Sequence, residues 1–278
     1  MYKALGLEDL GIDMPLLEGI ELAARHGFTG LRMNPEKILE AGIDNVVAAM
    51  DKYGIINAGF NLPDSFKGDE ETYKEGLEKL PRLLEAVRKT GGTRASTYIL
   101  SFSETLPYDE EYDNIVRRLR PYAFLLKEYG IFLGLEFLGS KKIYEGKKYP
   151  FIHTLPEILR LADSIGTGNC GVLLDSYHCH TAGYNMDIVK SLYAYQIGLV
   201  HVNDAMEGYA HDELPDSPRM LPGETGVIDI PKFLRNLKHI GYEGPVVVEP
   251  FYEKFRIMKD PDEKVRMVKE ALDSVWPN

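Results

Sequence analysis

Cysteine is scarce: the 278 residues contain only Cys170 and Cys179. They flank one strand-like run and, were that run extended throughout, would stand roughly 30 Å apart at about 3.3 Å per residue, too far for a disulfide. Both are expected to be reduced thiols. No window approaches the roughly 18 apolar residues of a membrane span. The start, MYKALGLEDLGID, is acidic and shows no basic segment leading into an apolar stretch with a small-residue cleavage site. The expectation is therefore a soluble, cytoplasmic chain. Positive charge is in deficit, with 32 Lys and Arg against 43 Asp and Glu and a net charge of −11. No basic run exceeds the pairs Lys141-Lys142 and Lys147-Lys148, which disfavours a nucleic-acid partner. Also missing are a Pro-, Gly- or Ser-rich linker, a low-complexity run and a Gly-rich dinucleotide turn after the first strand-like segment.

What is present is a regular alternation. Strand candidates are YKALGLE (2–8), TGLRMN (29–34), INAGFNL (56–62), RASTYIL (94–100), IFLGLEF (131–137), CGVLLDSYH (170–178), GLVHVND (198–204) and GPVVVEP (244–250). Amphipathic helical patterns such as 15–27, 70–91 and 230–242 lie between them, with Pro near several starts and Gly near most ends. This βα repetition, at 44% hydrophobic residues, predicts an α/β fold, a closed (β/α)8 TIM barrel forming a single domain over residues 1–278.

The late strands carry residues that a buried strand normally excludes. Glu136, Asp175, His201 and Glu249 each interrupt an apolar run. As core charges they would cost several kcal/mol each; at strand ends facing a polar site they cost far less. All four fall late in strands five to eight, at the face where barrels of this type hold their active sites. Together they form a mixed imidazole and carboxylate set suited to one divalent ion such as Mn, Co, Mg or Zn. The segment 205–229, roughly 25 residues without helical or strand periodicity, is a candidate lid.

Other residues read less sharply. Asp175 and His178 would point to opposite faces of a continuous strand, so both reach one site only if the chain turns after Asp175. Asp204 fits either a carboxylate orienting the ligands or a loop cap. Lys141 and Lys142 fit a solvated loop, or neutralisation of a substrate anion. Phe251, Tyr252 and Glu253 read as packing or ring contacts to a sugar, and His180 as surface or packing. His26 and His239 sit at helix ends, where an imidazole can bond terminal carbonyls.

In this order on these strands, the Glu of LGLEF, the Asp-x-x-His of LLDSYH, HVND, the R-x-x-P-G-E of RMLPGE and the Glu of VVEPF resemble the xylose-isomerase-like barrels. That group includes sugar and keto-sugar isomerases and epimerases, inositol-pathway enzymes and the endonuclease IV group. The resemblance spans nearly the whole chain. It implies that Glu136, Asp175, His201 and Glu249 hold one divalent metal, with His178 and Arg219 contacting substrate oxygens. The DNA-repair branch builds a three-metal site with additional histidines. Here strand three ends in Asn61-Leu62-Pro63, strand four in Leu100-Ser101-Phe102, and the position four before Gly223 is Arg219. The late Gly-Glu-Gly is stretched to Gly223-Glu224-Thr225-Gly226. These departures favour a single-metal enzyme acting on a small molecule.

The chemistry expected of such a cluster is proton transfer next to a carbonyl, through a metal-stabilised enediolate, with Glu136 and Glu249 removing and returning the proton. Epimerisation or isomerisation of a keto-sugar, sugar acid or cyclitol-derived ketone is the first reading. Elimination by a lyase or dehydratase on the same site is the alternative, and a noncatalytic sugar-binding barrel belongs to a third class. Residues nominated to contact substrate are Glu8, Asn61, Ser101, His178 and Arg219. The expected partner is a small sugar-like molecule, with neither nucleic acid nor membrane, and with homo-oligomer formation left open.

Overall fold

The computed structural model describes residues 1–277. Parallel strands at Tyr2–Leu5, Gly30–Leu31, Ile56–Asn57, Phe60–Asn61, Arg94–Ile99, Phe132–Phe137, Cys170–Asp175, Ile197–His201 and Pro245–Val247 form one sheet. Its two edges are Ile56–Asn57, paired with Gly30–Leu31, and Phe60–Asn61, paired with Arg94–Ile99. These edges are halves of one extended segment, so the sheet closes on itself as the expected barrel. The third strand, anticipated as continuous over 56–62, is thus divided. Ala58 N–H donates to the Leu31 carbonyl on one side (2.9 Å) and Leu62 N–H to that of Ser96 on the other (2.8 Å). Gly59 between them has φ +118°, and a Cβ there would lie 2.8 Å from the Arg94 carbonyl oxygen, so the switch of partners requires glycine.

The 15–27, 70–91 and 230–242 patterns become helices Leu16–Arg25, Glu70–Lys89 and Ile230–His239. Asp69 and Asp229 cap the last two by accepting from Thr72 and Lys232 N–H. Helices Pro35–Ala41, Ile43–Tyr53, Tyr108–Glu128, Leu155–Ile165 and Pro261–Val275 complete the outer layer. The main core lies between this layer and the barrel, and a smaller cluster of Ala4, Ala58, Leu173, Leu199 and Val247 fills the barrel interior. Side chains alternate along a strand, so the residues two positions beyond Leu173, Leu199 and Val247 share the same inward face. Those residues are Asp175, His201 and Glu249: the apolar plug forms the floor on which the polar cluster stands. Among the described residues, no helix is long and apolar enough to cross a membrane.

Two strand boundaries differ from expectation. The sixth strand stops at Asp175 rather than at position 178, because the Asp175 carboxylate accepts from Tyr177 N–H (2.7 Å) and starts the short helix Ser176–Thr181. The extended-strand spacing drawn between Cys170 and Cys179 therefore does not hold, although both cysteines are free. The first strand stops at Leu5, and Glu8 begins a 3-10 turn, Glu8–Leu10, that carries its side chain outward.

Candidate metal and substrate site

Strand register brings the four predicted ligands together. His201 lies opposite Asp175 on one neighbouring strand and Val247 on the other, two residues before Glu249. Glu136 enters from the far side of the Cys170–Asp175 strand. One donor atom from each of Glu136, Asp175, His201 and Glu249 lies within 4.8 Å of all the others. His201 Nδ1 stands 3.4 Å from Glu136 Oε1 and 3.4 Å from Glu249 Oε2. Burial and the charge of Glu249 push the Glu136 carboxyl up to about 7. Burial would lower His201, but Glu249 and Glu136 outweigh it and raise the imidazole to about 10. Burial would raise Glu249, but the charges of His201 and Arg219 hold it well below the usual carboxylate range. Three carboxylates converging on one imidazole thus create a strong local demand for positive charge.

Those residues fit a divalent cation. Glu136 Oε1 and His201 Nδ1 are both buried and neither makes a hydrogen bond of good geometry, an expensive arrangement for polar atoms unless another partner satisfies them. The donor set of one imidazole and three carboxylates suits Mn, Co, Mg or Zn.

Arg219 and His178 form the adjoining wall. Arg219 Nη1 donates to Asp175 Oδ2 (2.8 Å) and Glu249 Oε2 (3.0 Å), and Nη2 to Asp216 Oδ1 (3.0 Å). Its guanidinium lies between the rings of Tyr177 (4.8 Å) and Phe251 (4.7 Å). Phe251 holds a left-handed backbone at φ 39°, strain of about 1–3 kcal/mol of the kind that collects at functional sites. His178 sits on the helix after Asp175, as the turn condition required. Burial and the neighbouring Arg219 push its imidazole down to about 3, so it is neutral. Gly139 N–H donates to His178 Nδ1 (3.2 Å); the proton therefore resides on Nε2. Nε2 faces Arg219 Nη2 at 3.2 Å as one donor beside another, while the other guanidinium N–H groups are bonded to Asp175, Glu249 and Asp216.

Removing Arg219 should be felt in catalysis. Arg219→Ala is expected to lower kcat/KM by roughly 100-fold, the scale of losing one preorganised oxyanion donor. Arg219→Lys should recover little of that, because a point charge cannot span the Asp175, Glu249 and Asp216 contacts. Steady-state kinetics on the metal-saturated variants check this, and unchanged kinetics in the alanine variant would remove Arg219 from the site.

Behind the opposite wall stand residues that sequence reasoning passed over. Arg32 interrupts the apolar TGLRMN run just as the four ligands interrupt theirs. Its side chain contacts His201 Nε2 (3.3 Å), Ser96 Oγ (2.9 Å), Asp9 (3.2 Å) and Asn61. Asn61 lines the cavity as nominated, but two other nominees do not. Glu8 is exposed, accepts from Asn34 Nδ2 (3.1 Å) and faces separate clefts; its neighbour Asp9 is the acid turned inward, to Arg32. Ser101 is buried away from the cavity, with its carbonyl accepting from Phe151 N–H (2.7 Å). Lys141 and Lys142 point to Asp212 (3.5 Å) and Glu145 (2.9 Å), not into the site. Phe251 lines the cavity, whereas Tyr252 donates to Glu224 (2.8 Å) and Glu253 is exposed. His26 bonds Asp262 (2.8 Å) rather than a terminal carbonyl.

Segment 205–229 has little regular structure, as expected, yet it is firmly docked. Asp204 pairs with Met220 in an isolated bridge. Its carboxylate accepts from the N–H groups of Ala205, Thr225, Gly226 and Ile228 at 2.7–3.2 Å. Of the two readings for Asp204, the contacts realise the loop cap: it clasps both ends of the segment and so sets the depth of Arg219. Asp204→Ala strands several buried N–H groups and should cost roughly 2–4 kcal/mol of stability. It should also expose 205–229 to limited proteolysis and lower kcat/KM. Asp204→Asn, which keeps one acceptor, should recover part of each. A protease-resistant alanine variant of wild-type activity would show that the clasp is dispensable.

The assembled site opens into a cavity of about 650 Å³ whose wall includes Glu136, His178, His201, Arg219, Glu249 and Phe251. Comparison with known proteins agrees with this architecture. The chain is 23% identical to an inosose isomerase of Bacillus velezensis, over 94% of this chain and 91% of that one. It is 27% identical to a D-psicose 3-epimerase of Enterocloster bolteae, over 68% of this chain and 56% of that one. A crystal structure of the IOLI protein with a zinc atom superposes with a TM-score of 0.81 at 22% identity, covering 99% of this chain and 98% of that one. Residues 20–275 match the Xylose isomerase-like TIM barrel family, to which this chain therefore belongs.

Proposed function

We propose that this protein is a divalent-metal-dependent isomerase or epimerase that moves a single proton beside the carbonyl of a keto-sugar, sugar acid or cyclitol-derived ketone. The observation that carries this reading is the placement of Glu136 and Glu249, each 3.4 Å from His201 Nδ1 on either side of it, at the floor of an open cavity. The names of the relatives, inosose isomerase and D-psicose 3-epimerase, and the zinc atom of the IOLI protein support it.

Glu136, Asp175, His201 and Glu249 would hold the ion, which when bound supplies Lewis-acid polarisation of the substrate's carbonyl and adjacent hydroxyl. The two glutamates act on the carbon between them: one removes its proton and the other returns one. Return to the opposite face of the same carbon gives an epimer, and return to the neighbouring carbon gives an aldose or ketose isomer. His178 Nε2–H and the Arg219 guanidinium donate to oxygens on which negative charge develops. Leu138, Leu173 and Phe251 in the cavity wall restrict water around the reacting carbon.

Incubating the metal-loaded protein with free ketoses, sugar acids and inososes, and following each by NMR, tests this reading. The expected result is an equilibrium mixture with a new epimer or isomer. Loss of water from the product would replace it with dehydration, and no conversion of any ketone would refute it.

A further inference from the structure

We infer that the substrate is an uncharged polyhydroxy ketone, bearing neither phosphate nor carboxylate. This narrows the proposed reaction and rests on it. The argument is the charge of the cavity. Its wall carries Glu36, Asp64, Glu136, Asp216 and Glu249, and its only arginine or lysine among the described residues is Arg219. That guanidinium is already shared by Asp175, Glu249 and Asp216.

Each other nearby cation is also answered by an acid. Arg32 lies behind the wall against Asp9 (3.2 Å), Lys67 pairs with Asp64 (2.8 Å), and Lys141 and Lys142 turn to Asp212 and Glu145. Even with a divalent ion bound, carboxylates outnumber positive charges around the cavity, so an anionic substituent would meet a repulsive field with no free cation to receive it. The helix start in the wall offers no substitute. The helix that begins in the wall, Pro35–Ala41, opens with a proline, carries Glu36 in its first turn and has its Glu36 N–H bonded by Asn34 (3.0 Å). What the wall does offer is neutral: Asn34, Asn61, Ser96 and Thr97 provide hydrogen-bonding groups of the kind that hydroxyls pair with.

The experiment compares a free ketohexose and a free inosose with the ketohexose 6-phosphate and the matching 6-carboxylate, on metal-loaded protein. Turnover of an uncharged ketone is expected with kcat/KM at least ~100-fold above either charged form, the gap narrowing as salt is raised. In a Glu36→Lys, Asp64→Lys double variant the phosphate ester should gain about 10-fold relative to the parent ketone. A charged form turned over as well as or better than its uncharged parent overturns the inference while leaving the proton-transfer reading intact. Inertness of every ketone, charged or not, overturns both.

Discussion

Purified His201→Ala should contain almost no divalent metal under conditions in which the unaltered chain holds about one ion. His201 supplies the only imidazole of the four-residue cluster. Loss of an outer contact already costs about 10–100-fold in metal affinity, so loss of a direct ligand should cost roughly 100-fold or more. Asp175→Ala should show the same metal loss with an added stability defect. Asp175 also starts the Ser176–Thr181 helix and pairs with the buried Arg219, and stripping one partner from a buried pair costs about 3–5 kcal/mol. Chelation of the unaltered chain should lower its melting temperature, since a ligand at about 100 times its Kd contributes about 2.7 kcal/mol. Elemental analysis and thermal melts are the readouts. Full occupancy in both variants would remove these residues from the ligand set, and three ions per chain would point to the multi-metal branch of the family.

The second large effect belongs to the two glutamates. Glu136→Gln and Glu249→Gln keep shape and one acceptor oxygen, so each should retain more metal than the corresponding alanine variant. An amide cannot take up or release a proton at neutral pH, so kcat should fall by about 10²–10⁴-fold, the range associated with a positioned acid or base. Kinetics read together with metal content separate this from ligand loss. Near-normal turnover in either variant would show that the residue at that position does not handle the proton.

The parts of this site that were legible in the sequence were those that broke a local rule. Glu136, Asp175, His201 and Glu249 stand where apolar strand residues belong, and the cost of a buried charge makes that conflict informative. Arg32 breaks the same rule in TGLRMN, but a lone arginine has no metal-ligand chemistry to draw attention to it, and its role depends on Asp9, Ser96 and Asn61 being brought to it by three separate chain segments. Ser101 was over-read because polarity just past a strand end does not specify direction: Ser96 faces Arg32 inside the barrel, whereas Ser101 turns its carbonyl to Phe151. Glu8 and Asp9 are adjacent acids, and only the 3-10 turn decides which one points inward. The division of the third strand at Gly59 was only half legible: an isolated glycine in INAGFNL marks a place where the strand can break, but not that hydrogen bonding passes there from one neighbour to the other. Closure of the barrel itself was legible, because it follows from the count and spacing of strand and helix patterns rather than from any one boundary.

The central claim is that a carboxylate of this chain takes a proton from substrate carbon and that a proton is returned to carbon. The most direct measurement is solvent-isotope incorporation: the metal-loaded protein is given a convertible ketone in deuterium oxide, and the product is examined by NMR for deuterium at the reacting carbon. The account predicts carbon-bound deuterium at that position, and much slower incorporation in Glu136→Gln and Glu249→Gln. Product formed at the normal rate with no carbon-bound deuterium would mean that the original hydrogen is retained, by a direct shift or by return from one shielded base, and would contradict the separate roles assigned to the two glutamates.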